Sequence, residues 1–143
     1  MFTSVIRQGG GVSLVVRTEP IGKLEEIEAV VESVEEKLGF SGRLQYELGL
    51  KPTNVKVKGP MGVFHEWIAL SATASQEAVP QGSVLERYLT HMEICIPAIK
   101  KAVTVKQAFQ MLVGKKFRFQ RMKLGRDFEG NPAREYLVPV AAL

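Results

Sequence analysis

Alternation of apolar and polar residues is clearest over residues 43–51 and predicts a β-strand there. Every second residue of this segment is apolar and falls on one face: Leu44, Tyr46, Leu48 and Leu50. A two-residue period is typical of a strand that buries one face and exposes the other. Residues 63–70 alternate in a similar way and are expected to form a further strand. Its apolar face holds Phe64, Ile68 and Leu70, and its other face holds His65 and Trp67.

Residues 23–39 fit two interpretations. Apolar residues recur at spacings of three and four, which is the pattern of an amphipathic helix, at Leu24, Ile27, Val31, Val34 and Leu38. The segment also alternates at Ile27, Ala29 and Val31, and a turn with two glycines follows it. Because a glycine-containing turn before another strand suits a hairpin, we predict a strand over about Ile27–Glu36.

Two helices are predicted between the third strand and a final pair of strands. Ser83 is a suitable N-cap for the first helix, which Pro97 ends. Its apolar stripe consists of Val84, Leu85, Tyr88, Leu89, Met92 and Ile96. Thr104 is expected to cap a second, short helix over Val105–Val113, which Gly114 closes. The last two strands are predicted at Lys115–Leu124 and Glu135–Val140.

The predicted order is three strands, a helical insert and two strands, which is the order of an OB-fold. We therefore predict a mainly β (α+β) domain over residues 23–143. It is expected to be a five-stranded OB-like Greek-key barrel with a two-helix insert between strands three and four. Residues 1–22 are expected to be an N-terminal extension, in which Val12–Arg17 can pair as an extra edge strand.

Three short stretches carry a resemblance to a known group of proteins. They are Leu112–Phe119 (LVGKKFRF), Tyr136–Val140 (YLVPV) and Pro80–Ser83 (PQGS). With these stretches the chain resembles, over roughly Leu24–Leu143, the small OB-fold-like single-stranded-DNA-binding proteins of phages, archaea and their viruses. It departs from the bacterial type, which has an acidic C-terminal tail, and its helical insert is longer than usual. The resemblance implies a viral or archaeal protein that binds single-stranded DNA.

Charge is distributed unevenly along the chain. Between Ile94 and Arg126 there are nine Lys or Arg residues and no Asp or Glu, whereas seven Glu residues lie between Glu19 and Glu36. The formal net charge of +4 hides this polarity. A dense stripe of positive charge with interleaved aromatic residues is typical of a surface that contacts phosphates.

The expected binding surface combines two loops with the fourth strand of the barrel. In an OB-fold the ligand lies across strands two and three and is held by the loops between strands one and two and between strands four and five. The first loop holds Lys37, Phe40 and Arg43, and the second holds Arg126, Phe128 and Arg134. The fourth strand adds Lys116, Arg118, Arg121 and Lys123. Bases stack on aromatic rings while cations follow the phosphates, so this combination suits a single strand.

Several of these residues have a second interpretation. Phe40 and Phe128 also fit loop anchors that pack onto the barrel, and Lys116 and Arg118 also fit a solvated outer face. Trp67 fits either a core residue beneath the helices, which we favour, or a stacking platform on the binding face.

We find no catalytic or metal-binding constellation in the sequence. His65 and His91 are the only histidines, and Cys95 is the only cysteine, which excludes an internal disulfide. His91 and Cys95 are four residues apart, but no third group completes a catalytic set, so Cys95 is expected to be an inert thiol. No apolar run is long enough to span a membrane, and no secretory signal is recognisable. A cytoplasmic protein without cofactors is expected.

The sequence thus predicts non-catalytic binding of single-stranded nucleic acid, with DNA ahead of RNA. The alternative is a protein–protein assembly module. In that case the acidic segment Glu25–Glu36 of one copy would meet the basic stripe of another copy and give a homo-oligomer.

Overall fold

The structure is a computed structural model that describes residues 3–8, 12–17, 25–38, 42–54, 62–70, 79–125 and 130–143. In the first two of these ranges the description covers the backbone alone. Strands β1 (Thr3–Gln8) and β2 (Val12–Arg17) pair antiparallel and form a two-stranded sheet of their own. The segment Val12–Arg17 therefore pairs within the N-terminal extension and not with the larger sheet.

The main sheet is antiparallel and has five strands. They are β3 (Glu26–Leu38), β4 (Leu44–Pro52), β5 (Phe64–Ala69), β6 (Lys116–Lys123) and β7 (Glu135–Ala142). Their spatial order is β5-β4-β3-β6-β7, so β5 and β7 are the two edge strands. The domain is thus mainly β, and the sheet is open: no backbone ladder between described residues joins β5 to β7.

Strand β3 lies at the centre of this sheet. The strand predicted over about Ile27–Glu36 is confirmed, and it extends from Glu26 to Leu38. Its first half pairs with β6 and its second half with β4. Ile27, Ala29 and Val31 are fully buried at alternate positions. The register shifts between Val31 and Ser33, after which Val34 returns to the inner face opposite the buried Leu48.

The helical insert lies between β5 and β6 along the chain, as predicted. Helix α1 (Val84–Cys95) begins after Ser83, whose hydroxyl accepts a hydrogen bond from the Glu86 N–H. A 3₁₀ helix (Pro97–Lys101) follows, and then α2 (Val105–Gln110), where the Thr104 hydroxyl caps the Gln107 N–H. Both predicted caps are confirmed, and α2 ends three residues earlier than expected. No described helix is long and apolar enough to cross a membrane.

The core lies between the inner face of the sheet and the helical insert. The Tyr46 ring of β4 stacks on Phe109 of α2 with ring centroids 4.9 Å apart, and Phe109 lies 6.1 Å from the Tyr88 ring of α1. The Tyr88 hydroxyl donates a hydrogen bond to the Leu137 carbonyl on β7, so its one polar group is satisfied inside the core. Phe117 and Phe119 of β6 are fully buried in this core.

Candidate nucleic-acid interface

Five charged or aromatic side chains lie together on the outer face of β3, β4 and β5. The register places Glu35 opposite Glu47, and Glu47 opposite Trp67. Lys37 lies two residues beyond Glu35 on the same strand face, and His65 two residues before Trp67. We call the surface formed by Glu35, Lys37, Glu47, His65 and Trp67 the Trp67 face.

Glu47 lies at the centre of the Trp67 face, and its side chain is only 7 % exposed. Its Oε1 accepts a hydrogen bond from Lys37 Nζ at 2.9 Å, and His65 Nδ1 lies 3.4 Å from the same oxygen. Lys37 Nζ is also 3.3 Å from Glu35 Oε2. The hydrogen bonds to Glu47 and Glu35 raise the pKa of Lys37, so the ammonium stays charged on this surface.

Trp67 is exposed on this face, so the interpretation of Trp67 as a core residue is wrong. The residue retains 40 % of its accessible surface, and Lys37 Nζ lies 5.9 Å from its ring centroid. The reason is the alternation of β5. Glu66 and Ile68 occupy the inner positions of that strand, which leaves Trp67 pointing outward. An exposed indole beside an ammonium is a surface on which a planar ring can stack.

Gly49 leaves room for the neighbouring side chains of the Trp67 face. A Cβ at this position would lie 2.5 Å from the Ser33 hydroxyl oxygen and 3.8 Å from His65 Cε1. Gly49 pairs with Ser33 on one side and with His65 on the other. A glycine here thus lets both side chains approach the β4 backbone, next to Glu47.

The basic strand β6 lies beside the acidic strand β3. Glu28 pairs with Arg118 and Glu26 with Gln120. Arg118 Nε lies 3.8 Å from Glu26 Oε1, and Gln120 Nε2 donates to Glu26 Oε2 at 3.0 Å. Lys116 is half-buried on the same outer face, opposite Val30. The opposite charges that are separated in the sequence therefore meet within one chain. This pairing weakens the case for β6 as a phosphate-binding strand, and it also weakens the case for a homo-oligomer joined through these charges.

Two of the expected contact residues, Arg121 and Arg134, lie near Glu66. Arg134 Nη2 is 3.8 Å from Glu66 Oε1, and its guanidinium lies 4.7 Å from the Tyr136 ring centroid. Burial raises the pKa of Glu66 above its ordinary value, although the Leu137 N–H, Arg121 and Arg134 act in the opposite direction. Both arginines thus stabilise the region where β5 approaches β7.

The remaining expected contact residues are dispersed. Lys37 was expected in a loop, but it belongs to β3. Arg43 is exposed just before β4 and lines a cleft of about 290 Å³ with Leu70 and Tyr136. Lys123 is exposed at the end of β6, opposite Glu135. The expected contacts Phe40, Arg126 and Phe128 lie outside the described residues.

Among the described residues that were expected to contact nucleic acid, Lys37 and Trp67 lie together on the Trp67 face, whereas Arg121 and Arg134 lie near Glu66. Sequence reasoning missed Glu35, Glu47 and His65 as members of the same surface. The alternation of residues 43–51 contained a signal for Glu47, because it leaves Gln45, Glu47 and Gly49 opposite the apolar face. Because the expected contact residues were cations and aromatic residues, Glu47 was not among them.

Among the described residues, no group of three or more His, Cys, Asp or Glu side chains is placed to hold a metal ion. Burial raises the pKa of the Cys95 thiol, which disfavours the reactive thiolate.

No protein-family model matches the chain. A search of curated proteins finds no match at the level taken as significant.

Proposed function

We propose that this protein binds single-stranded nucleic acid, DNA ahead of RNA, without catalysis, and that the Trp67 face is its binding surface. The observation that carries the proposal is the exposed Trp67 ring on the outer face of β5, 5.9 Å from the Lys37 ammonium. Base–aromatic stacking is worth about 1–3 kcal/mol per base, and it tolerates any base because every base has a π-face.

The strand arrangement supports an OB-like barrel as the scaffold. Numbered within the main sheet, the strands lie in the order three, two, one, four, five, and the helical insert falls between strands three and four. This is the order of an OB-fold opened between its third and fifth strands. In that fold oligonucleotides lie across strands two and three, which correspond to β4 and β5 here. The Trp67 face is thus where such a ligand is expected.

Charge supports a moderate affinity that depends only weakly on salt. The Trp67 face brings Lys37 together with two carboxylates, Glu35 and Glu47. Stacking on Trp67 therefore contributes more of the binding free energy than phosphate contacts do. Each phosphate contact that does form should add about −0.7 to the slope of log affinity against log salt.

Fluorescence of Trp67 tests the proposal directly, because it is the only tryptophan of the chain. Single-stranded oligonucleotides should quench its emission at low salt, and duplexes of equal length should quench it less. Labelled oligonucleotides should show the same preference by anisotropy. Trp67→Ala should lower the affinity about 5- to 100-fold, in line with the worth of one stacked base.

Ile94→Ala is a matched control for the tryptophan variant. Ile94 is a 68 % exposed apolar residue on α1, and its loss should leave binding unchanged. Equal binding of single and double strands, or unaltered affinity of the Trp67→Ala variant, would contradict the proposal.

A further inference from the structure

Glu47 is the one deeply buried charged side chain on the Trp67 face. Its side chain is 7 % exposed, whereas those of Glu35, Lys37 and His65 are about half exposed. Trp67 lies directly opposite Glu47 in the β4–β5 ladder, and side chains in that relation have Cβ atoms about 5 Å apart. A base stacked on Trp67 would therefore lie beside this carboxylate.

Within the described part of the chain, the polar contacts of Glu47 all go to Oε1. Oε2 can then accept a further hydrogen bond, because a carboxylate has about four acceptor positions. The Lys37 side chain supplies the shortest contact at 2.9 Å, and it also reaches toward Trp67. Lys37 is thus both the neutralising partner of Glu47 and a cation 5.9 Å from the centre of the stacking surface.

An arriving phosphate competes for the Lys37 ammonium. Lys37 has a flexible side chain that is 45 % exposed, so it can turn from Glu47 toward a phosphate oxygen. The carboxylate then loses its best donor while it remains largely buried. His65 Nδ1, 3.4 Å away, is then its remaining contact among the described residues. Loss of a donor from a buried acceptor is costly, so ligands that replace the Lys37 donor are favoured over ligands that do not.

We propose that Glu47 makes the site prefer bases that carry an exocyclic amine over thymine and uracil. This inference rests on the proposed function. Cytosine, adenine and guanine each offer an amino N–H to a carboxylate, and cytosine N4 to a Glu side chain is an established pairing. Thymine has a carbonyl oxygen, O4, in the place of the cytosine amine, and its only donor at this edge is the N3–H between two carbonyl oxygens that repel the carboxylate. Base preference at this position thus follows from one buried acceptor.

Oligo(dC) and oligo(dT) of roughly 12 nucleotides, a length within the range of one OB-fold site, provide the test. Both are pyrimidine strands of equal charge and differ mainly at the base edge. Titrations at pH 8, followed by quenching of Trp67 fluorescence, should show that oligo(dC) binds about tenfold more tightly than oligo(dT). This is the difference expected for one hydrogen bond to a charged group. Glu47→Gln should bring the two affinities within about twofold, since an amide both donates and accepts.

Glu32→Gln is the matched control, because it removes the same charge at an exposed position of β3 outside the Trp67 face. It should keep the preference for oligo(dC). A ligand change avoids any effect on folding: an oligonucleotide of N4,N4-dimethylcytosine lacks the amino N–H and should bind the unaltered protein like oligo(dT).

The outcomes separate this inference from the proposed function. Equal affinity of the unaltered protein for oligo(dC) and oligo(dT) would overturn the role of Glu47 and leave binding intact. Loss of the preference in Glu32→Gln as well would overturn it too, since charge alone would then explain the effect. Absence of binding to every single strand would overturn the proposed function itself.

Discussion

Glu66 and Leu137 join the two edge strands of the sheet through one hydrogen bond, 2.6 Å from the Leu137 backbone nitrogen to Glu66 Oε2. Glu66 lies on β5 and Leu137 on β7, at opposite ends of the strand order. The sheet is therefore curled until its edges approach, and a buried carboxylate makes the contact that a backbone ladder would make in a closed barrel. Tyr88 donates to the carbonyl of the same Leu137, which ties α1 to this contact.

Loss of the Glu66 acceptor should destabilise the fold. Glu66→Leu leaves the buried Leu137 N–H without its partner, at an expected cost of about 2–3 kcal/mol. Glu66→Gln keeps an acceptor oxygen and should cost less than half as much. Urea unfolding measures both. Glu32→Gln, at an exposed position, should change the free energy of unfolding little. Equal stabilities of the leucine variant and the unaltered protein would show that this bond does not hold the edges together.

Glu66 should also make the stability depend on pH. Its folded-state pKa is raised above 4.5 because burial disfavours the carboxylate. The folded protein therefore binds this proton more tightly than the unfolded chain does. The resulting stabilisation is fully present below about pH 4.5 and is lost as pH rises through the folded pKa. Urea midpoints at pH 4 and pH 8 should show that Glu66→Gln gains stability relative to the unaltered protein at the higher pH. A constant difference would contradict the raised pKa.

Strand β3 shows how much of the fold could be predicted from the sequence. The apolar spacing of three from Val31 to Val34 suggested a helix, and it arises from the register shift between Val31 and Ser33. An irregularity of this kind adds a residue to one strand and interrupts the two-residue period. The expectation of a hairpin with β4 was what favoured the strand. Local periodicity alone could not have distinguished the two.

The candidate site was less predictable, because it depends on which strands are neighbours. Sequence patterns identified β3 as acidic and β6 as basic, but they did not reveal that Glu26 and Arg118 lie side by side. Trp67 was expected in the core beneath the helices, yet Glu66 holds the inward position beside it. Strand pairing is a long-range property, so such relations emerge only from the folded sheet.

Any side chain at position 49 should lower the free energy of unfolding. In Gly49→Ala the new Cβ would lie 2.5 Å from the Ser33 hydroxyl oxygen, so the two strands must adjust. We expect a loss of about 1–3 kcal/mol in the free energy of unfolding, as for other overpacked sites. Ser33→Ala removes the crowding oxygen, so the double variant should recover most of the loss. A double-mutant cycle measures this coupling, and additive effects would contradict the steric explanation.

Lys37 and Arg118 should differ in their effect on nucleic-acid binding, although both are surface cations of the same sheet. Lys37 lies on the Trp67 face, whereas Arg118 lies beside Glu26 on the other half of the outer face. Lys37→Ala should make the slope of log affinity against log salt less negative by about 0.7, the value of one phosphate contact on a single strand. Arg118→Ala should leave this slope nearly unchanged. Anisotropy titrations of single-stranded oligonucleotides over a range of salt concentrations measure both slopes. The reverse result would indicate that the phosphates contact the basic strand β6 and not Lys37 on β3, and so lie away from Trp67.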